Sequence, residues 1–150
     1  MDNPPESLLQ LDHFFCFQLY AASRALTGLY RPLLEPLGLT YPQYLVMVVL
    51  WEKESLNVRQ LGERLFLDSG TLTPLLKKLE GQGLVLRQRS STDERQVIIG
   101  LTPRGRALRE SAESIPATLL CQLNMSEGEA GRFHQTIRTF LSGLNTKLTS

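Results

Sequence analysis

Leu72-Thr73-Pro74-Leu75-Leu76-Lys77-Lys78-Leu79-Glu80-Gly81-Gln82-Gly83-Leu84-Val85-Leu86-Arg87-Gln88-Arg89 changes its apolar period half-way along, and that change decides the fold. Leu72, Leu75, Leu76 and Leu79 follow the i, i+3, i+4, i+7 spacing of one helical face. Asp68 or Ser69 starts this helix, and Gly81 and Gly83 stop it. Beyond Gly83 the chain turns strand-like, and Gln96-Val97-Ile98-Ile99-Gly100-Leu101 repeats the branched character. Ser90 to Arg95, polar and charged, reads as the tip of a hairpin between them. On the N-terminal side, Asn57 caps a short amphipathic helix, with Gln60 completing a capping box and Leu61 and Leu65 facing inward. A short helix pair followed by a hairpin is a winged helix-turn-helix, expected over residues 55–101. The fold class is mainly α with a small β-hairpin wing.

The flanks are helical. From Leu8 to about Leu34, residues Leu11, Phe15, Leu19, Ala22, Leu26, Leu29 and Leu33 form one stripe, ended by Pro36 and Gly38. Thr40 caps a second helix with Pro42 in its first turn, and Tyr44 to Trp51 is apolar nearly all round. Thr102-Pro103 opens a helix towards Leu120 that Pro116 bends. Ser126 and Glu129 form a capping box for a last helix ending near Leu148. One domain over residues 1–150 is expected, with the outer helices at 8–38 and 102–148 needing a partner for their apolar stripes.

The charge balance is +1 overall. Between Ser55 and Gly105 lie eight basic and five acidic residues, a mildly basic middle that suits a nucleic-acid module. On the helix from Asp68, Gly70, Thr73, Pro74 and Lys77 point away from the leucines with Lys78 beside them, and Ser69 and Thr71 at the helix start complete the candidate DNA-contacting set. Small and hydroxyl residues at a helix start, followed by lysines, suit entry into a major groove. The plain alternative is an ordinary surface helix. Arg87, Arg89 and Arg95 surround the hairpin tip, where Asp93 sits close enough to hold Arg95. Arginines on a thin hairpin suit a minor groove, against the alternative of a solvated turn.

Two cysteines make no secreted disulfide framework, and the N-terminus lacks a basic-then-apolar signal pattern. No apolar run approaches the roughly 18 residues of a membrane span. A cytoplasmic location is expected, with no membrane partner. His13 and His134 have no ligand-like spacing to either cysteine, and no phosphate loop, nucleophile elbow or carboxylate pair is present. No metal, no cofactor and no enzyme activity are expected.

Cys16 lies in Phe14-Phe15-Cys16-Phe17. It is either a small buried hydrophobe or a reactive thiol, which would need a stabilised thiolate and access. No lysine or arginine lies within seven residues of it, so help must come from hydroxyls or a helix terminus. Tyr20, Tyr30 and Tyr41 are candidate donors. On one helix, Tyr30 stands about 21 Å from Cys16, so the two can meet only across a two-fold axis. Cys121 follows Leu119-Leu120 and has its own core alternative.

Val58 to Gly105 resembles the DNA-binding domain of the MarR family in Leu61-Gly62-Glu63-Arg64-Leu65, Leu72-Thr73-Pro74-Leu75-Leu76-Lys77-Lys78-Leu79, Gly83-Leu84-Val85, Asp93-Glu94-Arg95 and Leu101-Thr102-Pro103-Arg104-Gly105. That resemblance implies a homodimer joined by its terminal helices, and a repressor of a pseudo-palindromic double-stranded operator. Cys16, Tyr30 and Tyr41, with Leu39-Thr40-Tyr41-Pro42-Gln43-Tyr44 and Leu67-Asp68-Ser69-Gly70-Thr71, further resemble the two-cysteine organic hydroperoxide regulators (OhrR). It implies that Cys16 is the peroxidatic thiol, that Tyr30 and Tyr41 of the partner support it, and that Cys121 resolves it as an intersubunit disulfide. Organic hydroperoxides would be the signal. Two alternatives stand beside it. One is a MarR-type repressor controlled by a small phenolic or aromatic ligand. The other is a thiol peroxidase, for which the cationic residue beside the thiol is missing.

Overall fold

Capping boxes set where two of the helices before the wing begin. The computed structural model describes residues 9–148. A 3-10 turn at Leu11–His13 precedes α1 (Phe15–Leu34), and another at Glu35–Leu37 follows it. Gly38, at φ +68°, then turns the chain into α2 (Tyr41–Lys53). Glycine takes that left-handed conformation without the Cβ penalty. Gln43 Oε1 accepts from the Thr40 N–H at 2.9 Å, and Thr40 Oγ1 accepts from the Gln43 N–H at 3.4 Å. After the strand β1 (Ser55–Asn57), Asn57 and Gln60 make the same reciprocal pair and start α3 (Val58–Leu65). Asp68 caps α4 (Ser69–Gly81). The strands β2 (Val85–Arg89) and β3 (Val97–Leu101) form the wing, and α5 (Pro103–Ala112) follows.

The sheet has three antiparallel strands in the order β1-β3-β2, with Leu56 opposite Ile99 and Arg87 opposite Ile99 on the other edge. The wing is therefore rooted through its returning strand, which lies between the other two. Leu34, Val46, Met47, Leu50, Leu61, Leu72, Leu79 and Ile99 are fully buried, so α1, α2, the helix pair and the sheet share one core. The result is a mostly helical winged helix.

Contacts divide the chain into two compact units, one through Ala112 and one from Glu113. The second holds α6 (Ile115–Gln122) and α7 (Glu127–Leu148), joined through Asn124 at φ +51°. Ser126 and Glu129 form the expected capping box: Glu129 Oε2 accepts from the Ser126 N–H at 2.9 Å, and Ser126 Oγ accepts from the Glu129 N–H at 3.2 Å. No residue of the 22-residue α7 is buried. Among the described residues no single helix is long and apolar enough to cross a membrane.

Three details depart from the sequence expectations. Leu8 lies outside the described residues, and the first α-helix begins at Phe15. Gln10 and Phe14 are extended and neither side chain caps, so Leu11 continues the apolar stripe only as a 3-10 turn. The sheet gains β1, whose three residues are too short to show a strand period and are recruited by β3. The helix opened by Pro103 does not bend at Pro116 but breaks at Glu113 and Ser114, since the proline ring would strike the carbonyl four residues back. Pro74 lies inside α4 without interrupting it.

Candidate DNA interface and thiol site

The start of α4 is built around Asp68. Its Oδ1 accepts from the Thr71 N–H at 2.7 Å. Hydrogen bonds from Thr71, the backbone one foremost, hold this carboxyl below its ordinary range, so it caps the helix as an anion. Ser69, Gly70, Thr71, Pro74, Lys77 and Lys78 are exposed along the side away from the core leucines. Thr73 is half-buried, and its hydroxyl donates to the Ser69 carbonyl at 2.7 Å, so it serves the helix itself. The far end of α4 is tied down: Gln82 Nε2 donates to the Gly38 carbonyl at 2.7 Å, and Arg104 Nη1 donates to the Gln82 carbonyl at 2.9 Å.

On the wing, Arg89 and Arg95 are exposed. Arg87 instead leans onto α4, with its Nε 3.7 Å from Glu80 Oε2. Asp93 Oδ1 accepts from the backbone N–H of Arg95 at 3.0 Å, so it shapes the turn through the main chain. Ser90 Oγ accepts from the Asp93 N–H at 3.4 Å, and the Ser90 N–H reaches the Gln96 carbonyl at 2.9 Å. The tip is thus a self-bonded turn carrying exposed cations beside an exposed helix start. That combination fits a groove lined by phosphates.

The thiols are both free and exposed. Cys16 is the second residue of α1, in the first turn, where unpaired N–H groups favour negative charge. Tyr20 is one turn on, with the Arg24 guanidinium 5.5 Å from its ring centroid. Cys121 is on α6. Tyr30 lies towards the other end of α1, and Tyr41 opens α2. Their ring centroids are 4.6 Å apart. Within the protomer, then, the structure joins Tyr30 to Tyr41, while α1 itself separates them from Cys16.

Sequence reasoning missed a third phenol. Tyr44 is 6 % exposed, and its ring is 5.8 Å from that of Tyr30 and 6.4 Å from that of Tyr41. The signal was available: Tyr41 and Tyr44 are three residues apart on a helix and so share a face. Trp51, at the end of the apolar stretch of α2, is half-buried and donates from Nε1 to the Gly105 carbonyl at 2.9 Å.

Burial, and then the neighbouring phenols of Tyr41 and Tyr44, push Tyr30 up to about 12. Burial raises Tyr41 and Tyr44 as well. All three are neutral hydrogen-bond donors at neutral pH. A phenol whose folded value is raised stabilises the fold fully below its unfolded value of 10.0, and that contribution is lost as pH rises through about 12. A pH titration of tyrosinate absorbance is expected to show one late phenol near 12, absent in Tyr30→Phe. A Tyr30→Phe titration identical to wild type would contradict it.

An exposed recognition-type helix, a wing and an unfilled apolar outer face define a winged-helix transcriptional regulator. Residues 28–111 match the family model described as transcriptional regulator SarA/Rot. The chain is 48% identical over 139 residues to the organic hydroperoxide resistance transcriptional regulator of Bacillus subtilis (strain 168), covering 93% of this chain and 95% of that one. It is 56% identical over 109 residues to the regulator TtmR of Methylorubrum extorquens (strain PA1), covering 73% of this chain and 56% of that one. Among solved structures, reduced AbfR bound to DNA, a protein of Staphylococcus epidermidis, superposes with a TM-score of 0.79 at 34% identity, over 93% of this chain and 97% of that one. AbfR has also been solved in a disulfide form, with a TM-score of 0.64 at 34% identity over 91% of this chain and 96% of that one. The chain belongs to the SarA/Rot family of MarR-like winged-helix transcriptional regulators.

Proposed function

We propose that this chain is a homodimeric cytoplasmic repressor that releases its operator when an organic hydroperoxide oxidises Cys16. The observation that carries it is the division of one site over the two ends of α1. An exposed thiol stands at the start of the helix, and a cluster of neutral phenols stands near its end. The 14 residues between Cys16 and Tyr30 span about 21 Å of helix. Tyr30 and Tyr41 can therefore reach the thiol only from a second copy, which happens if two α1 helices run past each other antiparallel. The exposed Leu11, Phe17 and Leu19 on the α1 side, and Phe133, Leu141 and Leu144 on α7, supply the apolar surface for that pairing.

The chemistry balances simply. The Cys16 thiolate attacks the outer oxygen of the peroxide, the O–O bond breaks, and the alkoxide takes a proton to leave as an alcohol, giving the sulfenic acid. The Cys121 thiolate of the second copy then attacks that sulfur, an S–S bond forms, and hydroxide leaves as water with one proton. Tyr30 and Tyr41 donate hydrogen bonds to the thiolate while it waits. The thiol reacts once per site, as a switch and not as an enzyme.

Two α4 helices would read half-sites about one helical turn apart, through Ser69, Gly70, Thr71, Pro74, Lys77 and Lys78, with Arg89 and Arg95 entering the flanking minor groove. Drawing Cys16 and Cys121 together moves the outer helices and so changes the spacing of the two wings. Likeness to a regulator named for organic hydroperoxide resistance, and to AbfR, supports this reading.

A gel shift on DNA upstream of the protein's own gene tests it. Organic hydroperoxide is expected to release the DNA, and a non-reducing gel of the same sample to show a crosslinked dimer. Cys121→Ser should lose the crosslink. If peroxide leaves the DNA bound, the sensor role fails and a screen of aromatic acids comes next.

A further inference from the structure

Tyr44 and Trp51 carry the phenol cluster onward to the wing. Tyr44 touches both Tyr30 and Tyr41, at 5.8 and 6.4 Å between centroids. Its other side meets Trp51 edge-on, at 6.4 Å and 66°. Two turns along α2 from Tyr44, the indole N–H of Trp51 ends on the Gly105 carbonyl at 2.9 Å. Gly105 is itself held in place. Its own N–H donates to Thr102 Oγ1 at 2.9 Å, and that hydroxyl donates to the Gly83 carbonyl at 2.7 Å. A Cβ at Gly105 would stand 2.1 Å from the Leu84 carbonyl oxygen. The junction thus gathers the end of α4, the first residues of β2, the last of β3 and the start of α5.

We propose that Tyr44 and Trp51 are positioning residues that couple the phenols of the thiol site to the root of the wing. The coupling stands on the function proposed above, because it has a purpose only if Cys16 is oxidised beside Tyr30 and Tyr41 of the second copy. When the phenols lose a thiolate and meet a disulfide instead, their rings shift. Close-packed rings pass the shift to Trp51, since interiors are dense and repack in discrete steps. The indole hydrogen bond then moves Gly105, and with it the junction where β2 starts and β3 ends. Arg89 and Arg95 lie at the far end of those strands, where a small rotation at the root becomes a larger displacement.

Trp51→Phe keeps an aromatic ring in α2 and deletes the N–H donor. Three quantities would be measured on wild type, Cys16→Ser and Trp51→Phe: operator affinity when reduced, operator affinity after organic hydroperoxide, and the rate of thiol loss. Trp51→Phe is expected to oxidise at the wild-type rate and bind operator when reduced, yet to show a reduced-to-oxidised affinity ratio smaller by about five-fold, the loss of one hydrogen bond in a two-state coupling. A merely structural role would weaken both affinities alike and leave the ratio unchanged, which overturns the proposal. Should Trp51→Phe fail to fold by circular dichroism, wild type decides. Trp51 is the only tryptophan, so its emission should shift on oxidation and stay still in Cys16→Ser. An unchanged emission overturns the coupling. If wild type itself keeps its DNA after peroxide, the sensor function falls and the coupling falls with it.

Discussion

Cys16→Ser is expected to bind operator DNA as the reduced protein does, and to hold it through a peroxide treatment that costs wild type on the order of 100-fold in affinity. Serine is nearly the same size as cysteine and its oxygen is not a target for peroxide. Cys16 is exposed on α1 of the protomer, so the exchange disturbs no packing in the protomer's core and should change its stability by less than about 0.5 kcal/mol. The loss is therefore confined to the response. It exceeds the effect expected for any phenol, because removing Tyr30 or Tyr41 leaves a slower thiol in place, whereas removing Cys16 leaves none. Gel shifts before and after peroxide check it, and a Cys16→Ser protein that still releases DNA would make another group the sensor.

Gly105→Ala should cost roughly 3 kcal/mol or more of folding stability, read as a lowered denaturant midpoint. The backbone at Gly105 does not need glycine, since its φ is outside the left-handed range that Gly38 and Gly83 occupy. Contact is the reason. The new Cβ would fall 2.1 Å from the Leu84 carbonyl oxygen and 3.2 Å from Leu101 Cδ2. The first is main chain and cannot swing aside. Opening the gap must push α5 off the sheet and pull the Gly105 carbonyl from Trp51. An unchanged midpoint would mean that α5 can slide freely along the wing's root.

Local chemistry was the most readable part of the sequence. The Asn57–Gln60 and Ser126–Glu129 boxes, the Asp68 cap and the leucine stripe of α4 depend on residues within four positions of one another, so their pattern survives without the rest of the chain. The strand β1 was not legible, because three residues show no period and its partner lies some 40 positions downstream in β3. Arg87 read as one more wing cation. Only when β2 folds back along α4 does Glu80 come within 3.7 Å of it. Cys16 among phenylalanines invited a core reading, yet the thiol is exposed, as are Phe14, Phe15, Phe17 and Leu19 around it. Trp51 was placed correctly in an apolar helix, but its hydrogen bond spans 54 residues and no local rule finds it. Tyr44 escaped for a related reason: its meaning comes from Tyr30, which only the turn at Gly38 brings alongside.

The wing tip has an evolutionary consequence. The ladder between β2 and β3 ends at Arg89 opposite Val97, and the turn beyond it is held mostly by its own members, Ser90, Thr92, Asp93, Arg95 and Gln96. Ser91 and Glu94 are exposed and carry none of those hydrogen bonds. Substitutions there can therefore accumulate without disturbing the root at Gly105. The tip is therefore the part of the wing where sequence can drift at least cost to the fold, which leaves room to retune what the wing meets without rebuilding its root.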